Sequence, residues 1–544
     1  MQLRLTIESG TLVGREFTLE SGFLTIGRGD QCSIRFDPLT ERIASKQHAY
    51  INAQPDGFYV TDNQSTNGTL VNGNRVETAR LSNGDVIQFG KNGVMARVSI
   101  GAQPAEAAPI NVADQYDNDA PAPFDMSEVA PAKSVQLSIS QLGLGGTQTE
   151  QQPKPAPIGK YIGIAFTIFA IIFLALIVGL ILFASLGPGA AIIAAIVAFA
   201  PAMIYLLPFM FLDRYDPEPL WLLALAFAWG ALVAVLVSIV INTIITIVAM
   251  VGASVVGLPP QLGEIVGAVV SAPIFEEASK GIGLLILLIF FRRYFDDILD
   301  GIVFAGVIAL GFATVENVMY YGRGLNSGGF YGLALLFGLR GILSPFAHAT
   351  FTSMTGIGCG IARESHKTIV RVIMPIVGYI FAMSLHMLWN GMAFLSVFAI
   401  DATGMSSACG AIGLGGEGIS LCGFFLGYSV LEVPLFLIYV IFALLIMRRQ
   451  NRILREMLAL DVARGLIPAE HERTATSVFR SFGWLAGGIF SGKYFTRSRY
   501  LRSIGKLGLS YWHIQRATAA HGQTGSFQQN PLIREEIIAL RDKV

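Results

Sequence analysis

The sequence is poor in charge and in cysteine. Only 14% of its 544 residues are charged, whereas soluble proteins carry about 25%. Four cysteines are too few for a disulfide-dense scaffold, and the chain has no Cys-x-x-Cys pair of the kind found in zinc knuckles and redox sites. It also lacks a His-Glu-x-x-His motif, which excludes a zincin-type metal centre. The formal net charge is zero, and no nucleic-acid partner is predicted.

Long apolar runs replace the missing charge. Hydrophobic residues make up 53% of the chain and the mean hydropathy is +0.57, which is typical of a multi-pass protein of the lipid bilayer. The runs predict an all-α membrane domain of about eight transmembrane helices. The predicted spans are 162–183, 190–211, 220–249, 264–291, 298–321, 333–362, 372–398 and 424–447.

The loops between these spans predict an orientation. Three loops are basic, at 290–297, 362–371 and 447–455, whereas those at 250–263 and 399–423 contain no Lys or Arg. Because basic loops stay inside, both termini are predicted to be cytoplasmic and the protein to lie in the cell membrane. Cys409 and Cys422 fall in an outer loop, where they either pair or remain free.

The composition divides the chain into four parts. Residues 1–100 alternate in short runs between Gly, Asn and Asp turns, which predicts an all-β sandwich. Residues 101–157 hold eight prolines and predict a disordered linker. Residues 158–447 form the predicted membrane domain, and residues 448–544 a short basic helical tail on the cytoplasmic side.

The first part contains a set of phosphate-binding donors. Its segments "GR" (27–28), "SKQH" (45–48), "STNGTLVNG" (65–73) and "NGDVIQFG" (83–90) follow one another in this order. Arg28 supplies the forked donor that a phosphate requires, and Ser45 adds a hydroxyl. Thr66 and Asn67 lie on a second loop, where an amide can hold the backbone of a ligand.

Together these segments resemble a forkhead-associated (FHA) domain over residues 1–100. The resemblance implies that Arg28 and Ser45 contact phosphate, that Thr66 and Asn67 form the phosphopeptide loop, and that the partner is a phosphothreonine-containing protein. The family often has Asn directly after the serine, where this chain has Lys46. The alternative is a sandwich in which these side chains only brace the loops.

The membrane domain carries ionisable groups where hydrocarbon should exclude them. The run "APIFEEASKGIGLLILLIF" (272–290) contains Glu276, Glu277 and Lys280, and charged groups at such depth are costly. Lys280 lies one helical turn from both glutamates. A single ion pair therefore leaves one carboxylate that needs another partner.

Three later spans offer such partners, namely Glu316, His348, and His386 with Asn390. These groups are predicted to converge on one buried pocket. There a carboxylate can act as a general base, a histidine can donate a proton and an asparagine can stabilise an oxyanion. Glutamates and histidines can also hold a divalent metal such as zinc, which activates water.

The motifs "EEASK", "DGIVFAGVIALGFATVEN", "HATFT" and "HMLWN" resemble those of the PrsW family of intramembrane proteases, over about residues 200–450. The resemblance implies an intramembrane endopeptidase that cleaves membrane-anchored proteins, such as anti-sigma regulators. It implies as catalytic residues Glu276, Glu277, Glu316, His348, His386 and Asn390. A glutamate-only mechanism and a metal-assisted one are both compatible with it.

Two other functions compete with proteolysis. One is a non-catalytic receptor or scaffold that reads phosphothreonine and uses the membrane domain as an anchor. That function has no need for six clustered polar side chains. The other is a proton-linked transporter, since buried acids and histidines also build proton relays. The chain lacks the internal repeat that many transporters show.

Overall fold

The computed structural model describes residues 2–101 except 21, 30, 31 and 55, residues 158–403 except 293 and 366, residue 425, residues 427–519, and residues 526–544. The predicted linker 101–157, apart from residue 101, lies outside the described residues, as do Cys409 and Cys422. The chain divides into two compact units. The first contains residues 1–160, 457–469 and 510–542, and the second contains residues 161–456, 470–509 and 543–544.

The first unit contains a sandwich of two β-sheets. Its strands are β1 (Gln2–Ile7), β2 (Glu16–Leu19), β3 (Phe23–Gly27), β4 (Ile34–Arg35), β5 (Ala49–Gln54), β6 (Gly57–Asp62), β7 (Thr69–Val71), β8 (Asn74–Val76), β9 (Thr78–Leu81), β10 (Val86–Phe89) and β11 (Val94–Gly101). One sheet has the order β2-β1-β11-β10-β7-β8 and the other β4-β3-β5-β6-β9. The neighbours β3 and β4 run parallel, whereas β3 and β5 run antiparallel.

Alternation of apolar and polar residues places the core between the sheets. In β11, Val94, Ala96 and Val98 are buried and the residues between them are exposed. This is the period of two that directs every second side chain inward. The rings of Phe36 and Phe89 meet in the core with centroids 5.3 Å apart. The predicted all-β sandwich is confirmed.

Segments of the C-terminal tail complete the first unit, a feature that the sequence did not predict. The ring of Tyr511 lies 5.9 Å from that of Phe23 in β3. The Arg464 guanidinium lies 5.3 Å from the centroid of the Phe58 ring in β6. Aromatic and cation–π contacts of this kind add to the apolar area that they bury. The tail therefore supplies part of the packing of this unit.

The remainder of the described chain is helical. Its α-helices are α1 (Ile158–Leu186), α2 (Pro188–Tyr205), α3 (Leu207–Leu212), α4 (Leu220–Ala228), α5 (Val235–Val255), α6 (Gln261–Ile265), α7 (Ala272–Phe290), α8 (Ile298–Leu336), α9 (Ala347–Glu364), α10 (Thr368–Thr403), α11 (Val433–Ala463), α12 (Ala469–Ala475), α13 (Val478–Phe490), α14 (Tyr494–Ala519) and α15 (Ser526–Arg541). Four π-helical segments are described as well, Trp229–Ala234, Val266–Ser271, Phe337–Leu343 and Tyr428–Glu432. The predicted helical tail is confirmed.

Six stretches of the described chain are long and apolar enough to cross a membrane. They are Ala165–Leu186, Pro188–Leu212, Leu220–Val255, Ile298–Glu364, Thr368–Met392 and Tyr428–Ala463. The difference from the predicted eight has two sources. The predicted spans 298–321 and 333–362 share one 67-residue stretch. The predicted span 264–291 is helical, but α7 carries three charged residues and so differs in composition from the other six.

Helix α8 begins at a double cap. The Asp297 side chain accepts hydrogen bonds from the backbone N–H of Leu299 at 2.7 Å and of Asp300 at 3.2 Å. In return, the Asp300 carboxylate accepts from the backbone N–H of Asp297 at 3.1 Å. This reciprocal capping satisfies donors that a helix start leaves open. It fixes where α8 starts, and therefore where Glu316 lies along it.

Glycines bring α9 against both of its neighbours. A Cβ atom at Gly356 in α9 would overlap the carbonyl oxygen of Gly301 in α8. A Cβ atom at Gly358 would overlap the carbonyl oxygen of Met374 in α10. Small residues permit this close backbone approach between membrane helices. The approach sets the spacing of the three helices that carry Glu316, the two histidines and Asn390.

Replacement of Gly356 by alanine should destabilise the second unit. The added methyl group has no room at the α8–α9 contact, and overpacking of this kind costs about 1–3 kcal/mol. The measurement is the thermal unfolding temperature of the full chain in detergent, which should fall in Gly356→Ala. The control is Gly338→Ala, because a Cβ atom at Gly338 would meet no heavy atom within 4 Å. Equal unfolding temperatures for the two variants would contradict this packing.

Candidate active site

Glu277 and Lys280 form a fully buried ion pair in α7. The Lys280 Nζ lies 2.8 Å from Glu277 Oε1, and both side chains are 0% exposed. The other oxygen of Glu277, Oε2, accepts a hydrogen bond from the Thr352 hydroxyl of α9 at 2.8 Å. A buried charge pair is stable only when its geometry is good and additional hydrogen bonds satisfy it. Glu277 meets both conditions.

Glu276 is held much more loosely than its neighbour. Its Oε2 lies 3.9 Å from the Lys280 ammonium and 3.9 Å from His386 Nε2. This buried oxygen has no hydrogen-bond partner among the described residues. Its Oε1 is 3.5 Å from the Asn242 amide nitrogen. The structure thus leaves one carboxylate oxygen free for a ligand or a proton.

The two histidines are each oriented by a carboxylate. His386 Nδ1 lies 3.0 Å from Glu277 Oε1, and His348 Nε2 lies 2.9 Å from Glu316 Oε2. A nitrogen facing a carboxylate carries the proton, so each ring has its lone pair on the other nitrogen. That nitrogen of His348, Nδ1, lies 3.2 Å from the Lys280 ammonium, which donates to it.

Arg340 is the second cation of the site, and sequence reasoning missed it. Its Nη2 lies 2.5 Å from Glu316 Oε2, and its Nε donates to the Asn317 amide oxygen at 2.7 Å. The available signal was a lone arginine inside an apolar run, "LLFGLRGIL". Thr352 and Asn242 were also missed, because uncharged polar residues are common in membrane helices.

These side chains surround a cavity of about 330 Å³. Its wall contains Glu276, Glu316, Arg340, His348, His386 and Asn390. Glu277 and Lys280 are not part of this wall, and they contact it through His386 and His348. The Asn390 amide donates one hydrogen bond to the Ala268 carbonyl at 2.8 Å, and its second N–H remains available. The structure therefore brings all six predicted residues to one place.

Three of the four described π-helical segments reach this cavity. They contribute Ala268, Arg340 and Tyr428 to its wall. A π-helical turn inserts one residue into the helical repeat, shifts the side chains that follow, and is frequent at functional sites. Two of these three residues, Arg340 and Tyr428, bring polar side chains to the cavity wall.

The donor set of the cavity fits a divalent metal ion. Glu276, His348 and His386 each offer one ligand atom, and these atoms lie within 4.8 Å of one another. One carboxylate with two imidazoles is a common catalytic zinc set. Both imidazoles also have the carboxylate partner that metal-binding histidines usually show. Glu276 Oε2, which has no hydrogen-bond partner among the described residues, is the carboxylate oxygen available to such an ion.

The predicted phosphate-binding residues lie on adjacent loops of the sandwich. Arg28 is half-buried, and its Nε donates to the Ala44 carbonyl at 2.8 Å. This bond fixes the guanidinium plane and leaves its two Nη groups for a ligand. The Ser45 hydroxyl oxygen accepts from the Thr66 backbone N–H at 3.0 Å. The Asn67 amide donates to the Ile43 carbonyl at 2.8 Å.

The buried His48 side chain connects the loop of Ser45 with the loop of Thr66 and Asn67. Its Nδ1 accepts from the Ser45 backbone N–H at 3.0 Å, and its Nε2 lies 3.1 Å from the Gly68 carbonyl oxygen. Burial lowers the pKa of His48 below its ordinary value, so the ring stays neutral and keeps the acceptor that Ser45 needs. Gly68 has φ of +74°, which favours glycine at this turn.

Comparison with known proteins agrees with this geometry. Residues 218–412 match the model of the PrsW family of intramembrane metalloproteases. Residues 24–90 match the model of the FHA domain. Both resemblances predicted from the sequence are confirmed. The chain therefore matches the FHA domain in its N-terminal part and the PrsW family, which is embedded in membranes, in its helical part.

Individual relatives match the two parts separately. Protease PrsW of Clostridioides difficile is 32% identical over 146 residues, which cover 26% of this chain and 55% of that protein. Glycogen accumulation regulator GarA of Mycobacterium tuberculosis is 36% identical over 87 residues, which cover 16% of this chain and 52% of that protein. These and similar curated relatives are matched over 9% to 59% of their own length.

A solved structure from a study of phosphothreonine-dependent FHA domain interactions is 30% identical to the part of this chain that it matches. The match covers 19% of this chain and 100% of that one, with a TM-score of 0.17.

The candidate site should bind one divalent metal ion through Glu276, His348 and His386. We expect the purified full chain to retain about one equivalent of zinc after dialysis, measured by elemental mass spectrometry. His348→Ala and His386→Ala should each reduce retention at least tenfold, because each removes one of three ligands. The control is His471→Ala, since His471 lies in α12 outside the cavity. Equal retention by all variants would contradict a metal site here.

Proposed function

We propose that the chain is an intramembrane endopeptidase that cleaves membrane-anchored proteins, and that its FHA domain binds phosphothreonine-containing proteins. The observation that carries the proposal is the cavity in which Glu276 Oε2 has no hydrogen-bond partner among the described residues, beside His386, His348 and Arg340. A pure anchor does not need buried acids and histidines to be arranged around an accessible cavity. A cavity that activates water does need such acids and histidines.

Glu276 is the general base of this proposal. Its free Oε2 takes a proton from the attacking water as the water oxygen bonds to the peptide carbonyl carbon. The same proton then passes to the leaving nitrogen when the C–N bond breaks, so that the carboxylate is regenerated. The second N–H of Asn390 donates to the developing oxyanion. Arg340 holds Glu316, and Glu316 orients His348.

Glu277 has a positioning role. It is fully buried, fixes the tautomer of His386 and holds the Lys280 ammonium. The sequence implied that both glutamates activate water, and the geometry favours Glu276 for that step. A variant of Glu277 should therefore lose activity through a misplaced histidine and lysine.

A divalent metal fits the same residues. Glu276, His348 and His386 would hold it, and the ion would act as a Lewis acid that makes its bound water more acidic. In this case Glu277 and Glu316 keep their roles, because they orient the two imidazoles in either mechanism. The metal-assisted route and the glutamate-only route thus share one set of positioning residues.

The substrate is a membrane-anchored protein, and an anti-sigma-type regulator is the substrate class that the family resemblance supports. The bilayer restricts access to segments that enter the membrane. The FHA domain would recruit a phosphorylated substrate or adaptor. In this proposal both termini are cytoplasmic, a prediction supported by the basic loops, and an ATP-dependent kinase on that side can supply the phosphothreonine.

Loss of the two adjacent glutamates should abolish proteolysis. Membrane N-terminal proteomics would compare cells that express the native chain with cells that express Glu276→Gln plus Glu277→Gln at matched levels. New N-termini within or beside membrane segments should occur only with the native chain. Removal of the base and of the carboxylate that positions the histidine should lower their abundance at least 100-fold.

The matched control for this comparison is Glu264→Gln, because Glu264 is exposed in α6 and should leave the new termini unchanged. Identical profiles for all three chains, across several growth conditions, would contradict the protease. They would favour the alternative of a membrane scaffold that reads phosphothreonine.

Phosphopeptide binding should depend on Arg28, whereas basal proteolysis should not. Isothermal titration of the full chain would use a phosphothreonine peptide and the same peptide without phosphate. Arg28→Ala should weaken binding of the phosphorylated peptide about 10- to 100-fold, since a hydrogen bond to a charged group contributes about 1.5–3 kcal/mol. Arg4→Ala is the control, because Arg4 pairs with Glu16 on the sandwich surface. Unchanged affinity in Arg28→Ala would show that this loop does not bind phosphate.

A further inference from the structure

A second, smaller cavity adjoins the candidate active site. It measures about 160 Å³. Its wall shares Ser344, Pro345 and Tyr428 with the wall of the larger cavity. The Tyr428 hydroxyl is fixed by donation to the Leu343 carbonyl at 2.7 Å. Two cavities divided by so few side chains can be occupied by neighbouring parts of one molecule.

Glu432 is the unexplained group in this second cavity. It ends the π-helical segment Tyr428–Glu432 and is only 4% exposed. Its buried Oε2 has no hydrogen-bond partner among the described residues. An unsatisfied buried polar group costs about 1–3 kcal/mol, and more if it is charged. The proteolytic mechanism makes no use of Glu432, so the cost indicates another ligand.

The surroundings of Glu432 are apolar. Phe346, Val433, Phe436 and Leu437 line the same cavity. A cavity of roughly 150 Å³ holds a molecule the size of benzene, so this one has room for one amino-acid side chain and not for a peptide segment. Apolar walls with one polar group that fixes orientation are typical of a specificity pocket.

We infer that this cavity receives one substrate side chain beside the cleaved bond, and that Glu432 accepts a hydrogen bond from a donor on that side chain. The inference rests on the proposed protease function and names its substrate class. The preferred side chains carry a hydroxyl, amide or amine. The apolar walls contact their carbon atoms. A site built to pair with a donor rejects an analogue that lacks it, because the buried acceptor is then left unpaired.

The test uses reporters with a single membrane-spanning segment, expressed together with the full chain. Each position of the segment is varied in pairs of similar shape, Thr against Val and Gln against Met. Cleavage is measured as the yield of new N-termini by mass spectrometry. At one position near the cut, the native chain should cleave the Thr and Gln reporters at least tenfold better than the Val and Met reporters.

Two variants separate recognition from folding. Glu432→Leu should remove or reverse this preference while it still cleaves the Val and Met reporters. Glu432→Gln should keep the preference, because the amide oxygen remains an acceptor. Val430→Leu is the control, since Val430 lies in the same π-helical segment but is 67% exposed, and it should leave the ratio unchanged.

Three outcomes would overturn the inference. An unchanged Thr-to-Val ratio in Glu432→Leu would show that Glu432 does not select the side chain. An equal loss of cleavage of all reporters in Glu432→Leu, with a normal ratio in what remains, would assign Glu432 to folding alone. No cleavage of any reporter by the native chain would instead overturn the proposed function, and the inference with it.

Discussion

The site depends on one buried ion pair, Glu277 with Lys280. Removal of one member of such a pair costs about 3–5 kcal/mol, because the other charge is left without a partner in an apolar interior. The pair is also the centre to which the other groups attach. His386 donates to Glu277, His348 accepts from Lys280, and Thr352 satisfies the remaining oxygen of Glu277. Three helices, α7, α9 and α10, are therefore held in register by a contact within one helical turn of α7.

Close backbone packing makes this convergence possible. Helix α9 lies between α8 and α10 at distances that glycine alone permits, and His348 of α9 contacts Glu316 of α8 and His386 of α10. The rings of His348 and His386 consequently meet with centroids 5.0 Å apart. The π-helical segments then turn Ala268, Arg340 and Tyr428 toward the cavity. Close helix packing sets the distances between the helices, and the π-helical turns set the directions of these side chains. A preorganised site requires both.

The sequence predicted those features that leave a local signal. Alternation predicts the sandwich, and charges in apolar runs predict Glu276, Glu277 and Glu316, because such charges are costly without a function. Arg340 carried the same signal, but its partner Glu316 lies 24 positions away, so no local spacing pairs the two. The packing of Tyr511 on Phe23 was beyond prediction, because residues almost 490 positions apart leave no local pattern when they meet. The π-helical turns could not be predicted from the sequence either, since their residue composition is the same as that of an α-helix.

The glutamate-only and metal-assisted mechanisms differ in what the lone pair of His348 Nδ1 binds. His348 Nδ1 has a single lone pair, which accepts from the Lys280 ammonium or binds a metal, but not both. A bound metal would therefore displace Lys280 from His348 and leave it with Glu277, a partner that it already has at 2.8 Å. The displaced ammonium would remain paired, so the exchange creates no isolated buried charge. This explains how an acidic pair with a lysine one turn away can serve either mechanism. Lys280 balances the charge of Glu277 in both states, and Glu276 is left to be the general base in one mechanism and a metal ligand in the other.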